Sequence, residues 1–415
     1  MAKQNDAYVF IHLNGKWVPC GYLTIQEDNR DILSTFQYGK KYLQRIDAIS
    51  IDPVQLPLSD ALFRSTPKAP LFGGIRDTMP DGWGRHLLDR AADPQSPGEF
   101  EYLTAIPVED RIGALGFGSS LEQGPGPIDP GWANYPPHGA ELDLDSMIKA
   151  VDEITNEKKI SPEYRRFLVR GSSLGGAQPK APITHEGRMW MAKFSRQYDA
   201  WSTCRIENAN LHLARMCGIV VPKAKTISVA GRDVFLILRF DRDLNGNRIP
   251  FISAATLLGT DQLTEGTYQD IAVQMRKYCA STSIHKDLKQ LFMRMVFNVL
   301  CNNTDDHLKN HGFIHISGQG WRLSPAYDIV PQPDMGPEEP RRLTLGLGMN
   351  GSREATLQNA LSSRGVFGLP EEDGEKIIDQ MKTKFLSQWE EVYSEYHVPP
   401  ENFPGLAEAF VNHLR

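Results

Sequence analysis

Apolar and polar positions alternate along Tyr8–Leu13 and again along Lys16–Leu23, with Asn14-Gly15 between them. That pattern predicts a β-hairpin closed by a type I′ turn. Pro19 has no N–H to donate, which places the second strand at a sheet edge. Strand-like runs recur at 35–38 and 48–51, and residues 84–92 read as a helix. Residues 93–100 and 121–140 are rich in Pro and Gly, and the second stretch can form neither a helix nor a central strand. It is a linker or a long surface loop. Leu144, Ile148, Val151 and Ile154 then fall at helical spacing. From 167 to 242, strands alternate with one strong helix at 203–217. From 264 onward the chain is mainly helical, with amphipathic runs at 267–279, 284–301, 371–395 and 404–414.

The order implies an α+β protein. Residues 1–120 form a β-rich N-terminal part, 121–141 a Pro/Gly-rich connection, 142–242 a mixed lobe and 243–415 a helical lobe. At 415 residues the chain is long enough for more than one core. A formal charge of −6 and a pI near 6.0 give no global nucleic-acid or membrane signature. No apolar run is long enough to span a bilayer, and the first residues have no signal-peptide core. The five cysteines, Cys20, Cys204, Cys217, Cys279 and Cys301, are scattered and form no C-x-x-C pair. They read as reduced thiols of a cytoplasmic protein rather than a zinc site or disulfide framework.

Candidate chemistry concentrates at Asn303-Thr-Asp-Asp-His-Leu-Lys-Asn310, followed by Pro325-Ala-Tyr-Asp328-Ile-Val. Asp305 and Asn310 have the D-x-x-x-x-N spacing of a kinase catalytic loop. Phosphoryl transfer needs a carboxylate to orient and deprotonate a hydroxyl, plus oxygen ligands that hold Mg²⁺ on the phosphates. Asp305, then Asn310 and Asp328, have the types and order for those roles. Asp and Asn also form capped turns, so the octapeptide alone leaves both readings open. The loop lies between a buried helical run at 288–301 and a short strand at Phe313–Ile316.

The earlier lobe holds matching parts, each with a plainer alternative. Gly171-Ser-Ser-Leu-Gly-Gly-Ala-Gln-Pro-Lys180 is either a phosphate-covering loop or a flexible turn; it is neither a Walker A loop nor G-x-G-x-x-G. Lys193 ends the apolar strand Arg188–Phe194 and needs an anionic partner, or it snorkels to solvent. Glu207, in the first turns of the next helix, either pairs with Lys193 or sits at the surface near the helix N-terminus. The run Val234–Phe240 is either a hinge strand, with Leu238 and Phe240 bordering an adenine, or the end of a core strand. All six pieces occur in kinase order.

Together these residues resemble the HipA family of bacterial serine/threonine kinases, toxins of type II toxin–antitoxin systems. The carrying phrases are Ser173–Lys180, Met191-Ala-Lys-Phe194, Arg239-Phe-Asp-Arg242, Thr304–Asn310 and Pro325–Ile329. In the N-terminal part they are Leu56-Pro-Leu-Ser59, Pro80-Asp-Gly-Trp-Gly-Arg85 and Asp110-Arg-Ile-Gly-Ala-Leu115. The resemblance implies a bilobal protein-kinase-like fold that uses ATP and Mg²⁺. Asp305 would be the base and Asn310 and Asp328 the metal ligands. Lys193 would contact phosphate, and His307 would lie in the nucleotide site. Gly175, Gly176, Ala177, Gln178 and Lys180 would cover the phosphates. Ser173, or Ser172 beside it, would be an autophosphorylation site whose phosphate expels the loop and inactivates the enzyme.

The resemblance also implies a helix-turn-helix antitoxin like HipB, contact with DNA only through that antitoxin, and a protein target. An aminoacyl-tRNA synthetase, such as glutamyl-tRNA synthetase, is the target class it suggests, with growth arrest as the outcome. Asp306 adds a carboxylate beside the expected base, where it would either repel phosphate or help bind metal. Two rival readings are a nucleotide-binding pseudokinase that only stabilises an antitoxin on DNA and a small-molecule or lipid kinase on a related fold.

Overall fold

The computed structural model describes residues 3–28, 31–133, 143–156, 161, 168, 178–196, 199, 201–332 and 341–410. The expected hairpin forms from β1 (Lys3–Leu13) and β2 (Lys16–Glu27). Asn14 and Gly15 both have positive φ, 49° and 78°, as a type I′ turn requires. With β3 (Ile32–Tyr38), β4 (Phe63–Arg64) and β5 (Leu115–Gly118) they make a five-stranded sheet in the order β4-β3-β2-β1-β5.

Two sequence expectations fail here, for local reasons. β2 is an interior strand, not an edge. Pro19 is tolerated because β3 pairs only from Gly21 onward and because the β1–β2 register shifts between Val9 and Phe10. Residues 48–51 form no strand. Tyrosine hydroxyls take the place of a neighbouring strand: the Tyr42 hydroxyl donates to Ile49 O at 2.7 Å and accepts from Ile49 N at 3.0 Å, and Tyr38 accepts from Ile51 N at 3.1 Å.

The second sheet is antiparallel, in the order β6-β7-β9-β8. It comprises β6 (Lys180–His185), β7 (Arg188–Phe194), β8 (Ala224–Val229) and β9 (Arg232–Leu238). Both faces are covered, which explains the continuous apolar run of β9. Val234 and Leu236 pack with Met147, Ile148 and Val151 of the helix Leu144–Thr155 and with Trp83 and Leu87 of the helix Gly82–Ala92. Phe235 and Ile237 alternate to the other face, toward the helix Thr203–Met216.

The C-terminal part is mainly helical, as expected, around Ile284–Leu300, whose last thirteen residues are nearly all buried. Helices Tyr268–Tyr278, Glu371–Glu395 and Phe403–Phe410 pack around it. A third sheet, β10 (Phe251–Ser253), β11 (Gly312–Ile316) and β12 (Gly320–Leu323), follows the order β10-β11-β12 and brings the loop after Leu300 to the second sheet. Residues 121–133 contain neither helix nor strand. No helix among the described residues is long and apolar enough to cross a membrane.

Candidate active site

The lobes enclose a cleft with about 1120 Å³ of atom-free space, open to solvent. Lys180 and Lys193 stand directly opposite each other on β6 and β7. Lys193, 1 % exposed, bonds Glu207 Oε1 and Oε2 at 2.6 and 2.9 Å and Asp328 Oδ1 at 2.6 Å. The Lys193–Glu207 pair read from sequence thus forms, and Asp328 completes it. Burial opposes the charge on Lys193, but the Asp328 and Glu207 carboxylates override burial and hold the ammonium protonated. Burial likewise works to raise Asp328, yet Lys193 and Lys180 keep its carboxyl well below the usual range. Asp328 has φ of +57°, a left-handed conformation that Asp tolerates better than most residues and that helps aim its side chain at Lys193.

Lys180 makes no ion pair with any described residue. Burial and the neighbouring Lys193 lower its pKa. His307 also lines the cleft, and its buried Nδ1 has no hydrogen-bond partner among the described residues. The opposite end is apolar and aromatic. Phe240 packs at 5.5 Å from Tyr327 and 6.2 Å from Phe251, with Met79, Ile112 and Met191 nearby. This shape suits a ligand with a flat ring at one end and anionic groups at the other.

Of the predicted residues, Lys180, Lys193, Glu207, Leu238, Phe240, His307, Asn310 and Asp328 line this one cleft. Gln178 does not line it. Ser172, Ser173, Gly175, Gly176 and Ala177 lie outside the described residues. Asp305 sits beyond the cleft wall, on the loop that carries His307, Lys309 and Asn310, and its side chain is open to solvent. Asn310 Nδ2 donates to Asp305 O at 3.2 Å and closes that loop. Partial desolvation, together with Asp328 and Asp306, raises the Asp305 carboxyl, and His307 opposes the rise.

Asp306 is 3 % exposed and turned away from the cleft. It therefore meets neither expectation raised for it, phosphate repulsion or metal ligation. It accepts from the Tyr268 hydroxyl and lies 2.8 Å from His311 Nε2. Burial pushes its carboxyl up, but His311 and Tyr268 bring it below the ordinary value. Among the described residues no group of three or more His, Cys, Asp or Glu could hold a metal ion. Asn310 and Asp328 offer two oxygen ligands, a set that suits an ion sharing its shell with phosphate and water.

The N-terminal part supplies a wall that sequence reasoning missed. Asp77, Met79, Asp81 and Ile112 all line the cleft. Asp81 pairs with Lys309 at 2.5 Å, and Asp77 accepts from Ser253 N, Ser253 Oγ and Thr256 Oγ1 at 2.6, 2.8 and 2.6 Å. Asp81 and Ile112 belong to the phrases Pro80–Arg85 and Asp110–Leu115, which carried a resemblance but no role. The Arg239–Arg242 phrase is a joint. Arg239 grips Asp241 at 2.9 and 2.7 Å and donates to Asp110 O and Arg111 O at 2.8 and 2.9 Å. Arg242 adds bonds to Asp241 Oδ2 and Arg111 O at 2.8 and 2.9 Å, and Gly113 N donates to Asp241 at 2.8 Å.

Residues 172–389 match the HipA-like C-terminal domain, and residues 11–118 match the HipA N-terminal domain. The chain belongs to the HipA family. A HipA structure from Shewanella oneidensis, solved with HipB and its operator DNA, covers the fold almost end to end. Its TM-score is 0.66 at 16 % identity, over 98 % of this chain and 96 % of that one. A protein of Haemophilus influenzae described as a putative kinase is 24 % identical over 220 residues, which cover 44 % of this chain and 63 % of that protein. The putative kinase Y4dM of Sinorhizobium fredii is 29 % identical over 164 residues, covering 36 % of this chain and 39 % of that one. The match thus spans less than two thirds of either curated relative. HipA-family membership agrees with the α+β, kinase-like architecture built above from β-rich, mixed and helical parts.

Proposed function

We propose that this HipA-family protein is an ATP- and Mg²⁺-dependent serine/threonine protein kinase acting as the toxin of a toxin–antitoxin pair. The observation that carries the reading is Lys193, held between Glu207 and Asp328 at the polar end of a cleft whose other end is aromatic. Protein kinases use that arrangement of strand lysine, helix glutamate and metal-binding aspartate. The unpaired Lys180 and the orphaned His307 Nδ1 give incoming phosphates donors that no described residue occupies.

In this reading the adenine packs between Phe240, Tyr327 and Ile112 beside Leu238, and Lys180 and Lys193 hold phosphate oxygens. The stretch Gly175–Lys180 folds over the phosphates. Asp305 accepts the proton as the serine hydroxyl oxygen attacks the γ-phosphorus. The bond from that phosphorus to the bridging oxygen breaks, and ADP departs. Asn310 and Asp328 are the residues that would hold Mg²⁺, which supplies neutralisation of the β- and γ-phosphate charge. Residues 1–120, 121–141, 142–242 and 243–415 act as N-terminal part, connection, first lobe and catalytic lobe.

Support for a partner comes from the Shewanella relative, whose structure holds HipB and operator DNA. We assign a HipB-like helix-turn-helix antitoxin to this chain, with DNA reached only through it. An aminoacyl-tRNA synthetase, glutamyl-tRNA synthetase first, is the target class to test. Autophosphorylation at Ser173, or Ser172, would switch the enzyme off. Intact-mass and peptide mass spectrometry after incubation with ATP and Mg²⁺ test this reading. Phosphate should appear at Ser172 or Ser173 in wild type and be absent in Asp305→Ala, which should still bind ATP. No phosphate in an initially unmodified wild type, with ATP binding retained, would favour a pseudokinase that acts only by binding the antitoxin.

A further inference from the structure

Asn310 lines the cleft and Asp305 is exposed beyond its wall, whereas their chain neighbours Asp306 and His311 are buried in the core. One oxygen, Asp306 Oδ2, receives the Tyr268 hydroxyl and lies 2.8 Å from His311 Nε2. A carboxylate accepts only, so His311 donates through Nε2, and its Nδ1 has no partner among the described residues. The directions are then set along the whole chain of bonds. Asn303 Nδ2 donates to Asn298 Oδ1 at 3.0 Å, Asn298 Nδ2 donates to Tyr268 Oη at 3.0 Å, and Tyr268 donates to Asp306. All five side chains are at most 3 % exposed. The Tyr268 and His311 rings also pack edge to face at 5.4 Å.

This network roots the loop in two long elements. Asn298 belongs to the helix Ile284–Leu300, and Tyr268 opens the helix Tyr268–Tyr278, whose N-terminus is fixed by a Thr267–Asp270 capping box. Buried networks of this kind favour one geometry, because each alternative strands further polar groups away from water. The carboxylate belongs to the residue after Asp305 and bonds the residue after Asn310, so it helps set the separation of the two.

We infer that Asp306, His311 and Tyr268 form a positioning unit that holds the catalytic loop at its working spacing. None of the three touches substrate. This inference rests on the kinase reading, because the spacing matters only if Asp305 and Asn310 act on one phosphoryl group. It predicts an effect on turnover rather than on ATP binding, since Lys180, Lys193 and the aromatic end lie outside the network.

The test compares Asp306→Asn, His311→Ala and His311→Gln with wild type in full-length protein. Glutamine keeps an N–H donor near the imidazole Nε2. Asp306→Asn and His311→Ala should lower kcat about tenfold or more while KM for ATP stays within about threefold. His311→Gln should recover most of the loss. Ligand-free hydrogen–deuterium exchange should quicken in 303–311 in the two damaging variants but not in Ile284–Leu300. Unchanged kcat, a KM loss as large as the kcat loss, or His311→Gln as damaged as His311→Ala would overturn the proposal. So would equal loosening of the Ile284–Leu300 helix. If wild type transfers no phosphate, the kinase reading fails, and exchange alone decides whether the network holds the loop; unchanged exchange at 303–311 overturns it.

Discussion

In the joint at the cleft wall, Arg239 and Arg242 direct their guanidinium donors to Asp241 and to the carbonyls of Asp110 and Arg111. In the cleft, Lys180 on β6 has no ion pair, and His307 Nδ1 no hydrogen-bond partner, among the described residues. Both regions bury charge, which is costly in each. In the joint the protein itself repays that cost, and the result is a seam between the N-terminal part and the residues that follow β9. In the cleft the cost is left standing, which makes sense only if a ligand completes it. The contrast separates buried charge that holds structure from buried charge that awaits chemistry. It can be broken by removing one charge from each side.

The largest expected effect is in the joint. Asp241→Ala leaves two nearly buried guanidiniums without their carboxylate and Gly113 N without its acceptor. Loss of one partner of a buried ion pair costs about 3–5 kcal/mol, so chemical denaturation should show a fall of that order. The Asp241 carboxyl is held well below the usual range by Arg239 and Arg242 in spite of burial. Its contribution is therefore present above the ordinary aspartate pKa and lost only as pH falls through the depressed folded value. A stability change within about 0.5 kcal/mol would mean that the carbonyls alone satisfy the arginines and that the seam does not depend on the ion pair.

The opposite outcome is expected at Lys180. Lys180→Met keeps most of the side-chain volume and removes a buried ammonium with no ion-pair partner among the described residues. Stability should hold or rise, while ATP affinity, measured by calorimetry, should fall about tenfold or more, the scale of one hydrogen bond to a charged group. If stability fell and affinity held, Lys180 would belong with the joint rather than the cleft.

The two regions were unequally legible in the sequence. Lys193, Glu207, Asn310 and Asp328 could be read because each residue type has few uses on a strand end, a helix turn or a loop between buried elements. The apolar periods located the helices Tyr268–Tyr278, Ile284–Leu300 and Glu371–Glu395 within a residue or two. The joint was quoted as a phrase, but its partners at Asp110 and Arg111 lie 129 and 128 residues away, and pairing at that range leaves no local trace. Met79 and Ile112 look like any core residues until the fold places them on the wall of the same cleft as Phe240. Asp305 and Asp306 are the same residue type side by side, and only the path of the loop leaves one exposed and buries the other against Tyr268. The strand read at 48–51 failed because apolar alternation does not reveal that tyrosine hydroxyls satisfy the backbone there.

The smallest expected effect sharpens the comparison within the loop itself. Asp306 has donors on its carboxylate and is held below the ordinary value; Asp305 lacks them, and partial desolvation with the nearby Asp328 and Asp306 charges raises it. A general base works only when ionised, so activity falls as pH drops through its pKa. The acid limb of the kcat profile should therefore lie above the ordinary aspartate range, and the raised group should be Asp305. Asp306→Asn removes one of the charges that raise it, so that variant's limb should move to lower pH even though its kcat at neutral pH is reduced. A limb that stays in place would mean that Asp306 acts on Asp305 through loop geometry alone and not through its charge.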